Sequence, residues 1–127
     1  MTLSEVRLAV VAALTGGPWE VRDDVPDALT PPVLAVGWAP AWLAWQTSCT
    51  WAATAQVTCF ANRLTPTTGY ETLEAMTAYA VSTLASSRIG VPQPVGGPQA
   101  IDVAGVTYLA SRIPILISVS LAEVAHA

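Results

Sequence analysis

The chain has 127 residues, a net charge of −4, five basic residues that are all arginine, and only 11% charged side chains against 53% apolar ones. Soluble globular domains average about 25% charged, so a surface this poor in charge is expected to lie against other protein. Scattered arginines at 7, 22, 63, 88 and 112 form no basic footprint for nucleic acid, and the length predicts one domain over residues 1–127.

At the amino end, Thr2 and Glu5 have capping-box spacing, and Val6, Val10, Ala13 and Leu14 fall on one helical face. A first helix is expected from about Leu3 to Thr15, stopped by Gly16 and Gly17. Glu5 and Arg7 interrupt the apolar run, so it makes a poor signal peptide. Trp19 and Val21 share one side of a short strand, followed by an acidic, proline-closed loop. Asp23, Asp24 and Asp27 in that loop lack the glycine and terminal glutamate of an EF-hand, and their spacing suits turn hydrogen bonding better than a metal. No metal and no cofactor are expected.

From Ala28 to Asn62 there is no charged residue. Prolines, Gly37 and two glutamines break the run, which argues against a membrane span of about 20 consecutive apolar residues. A buried-type strand starts at Val33, and Gly37 to Pro40 reads as a turn leaving it. Trp51, Ala53, Ala55, Val57 and Cys59 then alternate with Thr50, Thr54, Gln56 and Thr58, which predicts a half-buried strand from Ser48 to Asn62 with one wet or partner-facing side. Cys49 and Cys59, ten residues apart on one strand, would stand on the order of 30 Å apart. That is far beyond disulfide reach; two small buried or interface thiols are expected, which suits a cytoplasmic site of synthesis.

Thr68 and Glu71 repeat the capping-box spacing, and Leu73, Met76, Ala80 and Leu84 line one face of a second helix from about Tyr70 to Ser87. The segment Gly90 to Gln99 reads as a stiff surface connection. Beyond it come a short strand, an Ala-Gly turn, and a long strand with Ile113, Ile115, Ile117, Val119 and Leu121 inward; Pro114 argues for an edge or a bulge. The expected fold class is α+β, with two helices packed on one face of a mainly antiparallel β-sheet as a single layer pair.

Chemistry has no visible carrier. His126 is the sole histidine, close to the end of the sequence, and the common nucleophile, phosphate-loop and metal motifs are missing. An enzyme would have only Asp23 or Asp24 as its acid–base group, and no enzymatic activity is expected. The tryptophans are the feature left to explain. Trp38, Trp42, Trp45 and Trp51 together represent on the order of 600–1,000 Å² of ring surface. Trp51 belongs to a strand's apolar face. Trp38, Trp42 and Trp45, on an expected loop from Gly37 to Gln46, are the candidate interface residues.

Taken in order, "SEVRLAVVAAL", "VRDDVPDALTPPVLAVG", "TWAATAQVTCFA", "GYETLEAM" and "GVTYLASRIPILISV" span nearly the whole chain. This series resembles the tail-terminator (tail-completion) proteins of long-tailed bacteriophages. The resemblance implies a virion protein of the tail's neck region, assembled in the host cytoplasm. Six identical subunits would form a ring that caps the tail tube, ends its polymerisation and meets the head-completion or connector protein. The genomic DNA would pass through its lumen without specific binding. A ring of six would carry a charge of about −24, a sign that repels phosphate. The family has no catalytic residues to carry over. Two rival readings are another head-to-tail connector, such as a stopper or adaptor, and a monomeric α+β module holding a small apolar ligand among its tryptophans.

Overall fold

The computed structural model describes residues 3–23, 31–47, 50–63 and 70–120. Helix α1 is Leu3–Leu14, followed by strands β1 (Glu20–Arg22), β2 (Val33–Trp45) and β3 (Thr50–Arg63), helix α2 (Tyr70–Ser87), and strands β4 (Val91–Pro92), β5 (Gly96–Val103) and β6 (Val106–Ser120). Thr2, Asp24, Asp27, Cys49, Thr68, Leu121 and His126 lie outside the described residues, so the capping boxes, the acidic cluster as a whole and the Cys49 thiol are not described further.

Both helices form where the apolar period of 3.6 predicts them. α1 buries Leu3, Val6, Val10 and Leu14, and α2 buries Leu73, Met76, Ala80 and Leu84. Each Leu or Met so buried contributes about 1.5–3 kcal/mol of transfer free energy. The two helices are tied together where α1 ends. The Tyr79 hydroxyl donates to the Leu14 carbonyl at 2.7 Å, satisfying one of the acceptors that a helix terminus leaves open.

Strands β2, β3 and β6 form the body of one sheet, ordered β1-β2-β3-β6-β4, with β5 also paired to β6. All pairings are antiparallel except β1 with β2. Alternation along β3 and β6 holds as expected. Ala53, Ala55, Val57 and Cys59 of β3 and Ile113, Ile115, Ile117 and Val119 of β6 join the helices' apolar faces in the main core.

The expectation of two helices laid on one face of a sheet as a single pair of layers is overturned, although α and β elements are both present. Strands account for 53% of the described residues, and the sheet curls into a half-barrel. Length and bulges are the physical reason. Long paired strands accumulate twist, and the register shifts between Trp38 and Leu43 on β2 and between Phe60 and Asn62 on β3 bend them further. The far face of the sheet is also covered. Val33, Ala35, Phe60, Tyr108 and Ala110 form a second core beneath Ile101, Val103 and Val106, with the Phe60 and Tyr108 rings edge-on at 5.8 Å. The side of β3 expected to be wet is therefore dry at Thr58 and Phe60.

Three local expectations are also corrected. Gly37 to Pro40 does not leave the sheet: β2 continues to Trp45, and Ala39 to Trp42 are taken up in a wide bulge opposite Thr54. The connection from Gly90 to Gln99 contains β4 and the start of β5. Pro114 sits at neither an edge nor a bulge, pairing in register with Gln56 inside β6. Its carbonyl accepts from Gln93 N at 2.8 Å, on the β4 side. In an antiparallel strand a residue's N and C=O point the same way, so the missing donor faces the short outer strands and costs no bond to β3. Ala104 and Gly105, with φ of 51° and 83°, close β5 onto β6 as a two-residue turn of the type that needs positive φ at both positions.

Candidate functional site

The tryptophans form a strip along β2 that starts in the core and ends in solvent. Trp38 stands opposite Ala55, a core residue, and so faces the helices. The bulge swings Trp42 back beside it, with ring centroids 4.8 Å apart and planes at 38°. Both rings are half-buried against the main core, together with Leu43 and Trp51. Trp45 pairs with Trp51 across the hairpin but lies beyond the reach of the helices and is 67% exposed. Of the three candidate interface residues, then, Trp38 and Trp42 are strand residues that anchor the strip, and Trp45 is its free end.

Hydrogen bonds stiffen the tip. Gln46 N donates to the Thr50 carbonyl at 3.1 Å, and the Ser118 hydroxyl donates to Gln46 Oε1 at 3.1 Å. The outer edge of β2 is the second notable feature. β1 covers it only from Val33 to Ala35, and among the described residues no strand pairs with that edge from Val36 to Trp45. That stretch carries no charge. A long apolar edge without gatekeeping charges is a template for another chain.

At the opposite side of the sheet, α2 and the start of β5 enclose a groove of about 450 Å³ lined by Leu73, Glu74, Thr77, Val81, Val95 and Pro98, among others, with Ser111 of β6 beneath. Sequence reading does not find it, because its walls are far apart in the chain. Thr77 and Ser111 share a hydroxyl hydrogen bond of 2.8 Å beside the buried Cys59 thiol. Burial pushes that thiol up from 9.0 to about 11, offset only in part by hydrogen bonds with Ser111 and Thr77. The thiolate is the nucleophile, so Cys59 is a packing residue here. At pH 8 its alkylation by iodoacetamide, followed by peptide mapping, is expected to be far slower in the folded chain than in urea, because folding both buries the thiol and keeps it protonated. Because the folded value is raised, the thiol's contribution to stability is present below pH 9.0 and is lost progressively as pH rises through about 11.

Among the described residues the remaining titratable groups do not converge. Arg7 Nη1 lies 3.6 Å from the Asp23 carboxylate and donates to the Asp23 carbonyl at 3.1 Å, which gives Asp23 a structural partner at the end of β1. Thr107 donates to Asp102 beside the β5–β6 turn. Among the described residues no three His, Cys, Asp or Glu side chains gather, and no helix is long and apolar enough to cross a membrane. Among the described residues the features open to contact are an exposed aromatic projection at Trp45, an open apolar strand edge on β2 and an apolar groove beside α2. No protein-family model matches the chain, and no curated protein matches it.

Proposed function

We propose that the chain is a structural virion protein of the tail-terminator type, one of several identical subunits of a ring that caps the tail tube, ends its growth and joins it to the head connector. The observation that supports this most is the uncharged outer edge of β2, running from Val36 to the exposed Trp45. An edge of this kind invites association unless it is covered, and a ring subunit covers it with its neighbour. The order of sequence segments along the chain supplies the choice of family. Low overall charge fits a protein whose flanks, top and bottom all meet other proteins. In this reading the subunit does no chemistry, needs no cofactor, and lets DNA pass without gripping it.

Sedimentation of the purified chain, alone and with tail tubes, tests the proposal. The expected result is a closed multimer, or a species that binds tube ends and stops their extension. A monomer indifferent to tubes would overturn it. The groove between α2 and β5 favours the second reading, a monomeric module for a small apolar ligand; that reading predicts a monomer whose melting temperature rises with ligand.

A further inference from the structure

We infer that the ring closes by seating Trp45 of one subunit in the groove between α2 and β5 of the next, an inference that rests on the self-assembly reading above. Trp45 is the largest of the exposed apolar side chains among the described residues, and strand pairing with Trp51 and the tip hydrogen bonds hold it in place. A fixed ring loses little freedom on docking. The groove fits it in size and character. An enclosed cavity of about 150 Å³ takes a benzene, and about 450 Å³ between Leu73, Val81, Val95 and Pro98 leaves room for a bicyclic indole. Glu74 in the same lining supplies an acceptor for the indole N–H.

Position in the sheet identifies a second copy as the occupant. Trp45 is level with Val119 of β6, while the groove floor is Ser111, roughly 26 Å away along the strand at about 3.3 Å per residue. β3 and β6 also separate them laterally. A chain therefore cannot fill its own groove. Knob and hole at opposite corners make a head-to-tail contact, used once on each side of every subunit, which is the kind that closes into rings. The area is consistent with this. An indole buries about 150–250 Å², and a stable interface needs about 800 Å² per partner. The uncharged outer half of β2 on one side, and exposed Val91 and Val95 beside the groove on the other, extend the contact toward that figure.

The test uses the full chain in sedimentation equilibrium. Trp45→Ala removes the knob and Ala78→Glu places a carboxylate in the groove; both positions are exposed, so far-UV circular dichroism should not change. Each variant alone is expected to weaken the contact by roughly 30-fold or more and to run as a monomer. Mixed one to one, they should recover a dimer and nothing larger, because the mixture retains one working knob and one working groove per pair. Pro98→Glu, on the groove's other wall, should behave as Ala78→Glu does. A wild-type multimer whose Trp45→Ala variant still assembles, or variants that stay monomeric when mixed, would overturn this contact and leave the ring standing. A wild-type chain monomeric at millimolar concentration would overturn the contact even if it caps tubes, and indifference to tubes as well would remove the ring too.

Discussion

Gly90→Ala is expected to destabilise the fold by about 1–3 kcal/mol, seen as a lower midpoint in urea unfolding with an unchanged slope. A Cβ at Gly90 would run into the Leu116 carbonyl oxygen and Ile117 Cγ1. The first of these is backbone of β6, where Leu116 pairs with Thr54 on one side and Val91 on the other. It cannot rotate away as a flexible side chain would, so the added methyl must push β4 off the sheet. That loosens the only strand among the described residues that flanks β6 beyond Pro114 on the side away from β3. Gly37→Ala is the control. Nothing lies within 4 Å of a Cβ there, and the strand loses the excess freedom of glycine in the unfolded chain. It should be neutral or slightly stabilising, and a loss equal to that of Gly90→Ala would show that close approach at β6 is not the cause.

Local periodicity made the helices and the long strands legible, and nothing local reveals how they curl. Tyr70 to Ser87 is recovered at both ends because Leu73, Met76, Ala80 and Leu84 repeat at helical spacing and nothing interrupts them before Gly90. The alternation of Trp51 to Cys59 likewise fixes which face of β3 meets the helices. Gly37 to Pro40 reads as a turn in the sequence because glycine and proline are the residues turns use. In a strand, the same residues mark an irregularity that the partner tolerates. Once that stretch is a strand, Trp38 and Trp42 change from loop residues to half-buried anchors, while Trp45 is left exposed at its end. The second core was hidden for a different reason. Its cover comes from the β5–β6 hairpin, and nothing in Thr58 or Phe60 says that Ile101 will fold across them.

Under the proposed ring reading, replacing Trp42 and Trp45 together by alanine should abolish ring formation and tail capping, weakening each subunit contact by on the order of a thousandfold if both act as hot spots of about 2 kcal/mol. The two residues act differently, and the double variant should show it. Trp45 is mostly in solvent, so its loss should leave unfolding almost untouched while removing the projecting ring. Trp42 leans on Trp38 and the main core, so its loss should lower stability as well. It should also loosen the bulge that aims the hairpin tip. Measuring unfolding and assembly on the same two single variants separates these roles: Trp42→Ala should move both readings, and Trp45→Ala only assembly. If the chain is the virion protein proposed above, particle yields with the double substitution give the decisive outcome. Unchanged yield would mean that neither indole carries a subunit contact, and the proposed ring would then have to be held by the backbone edge of β2 instead.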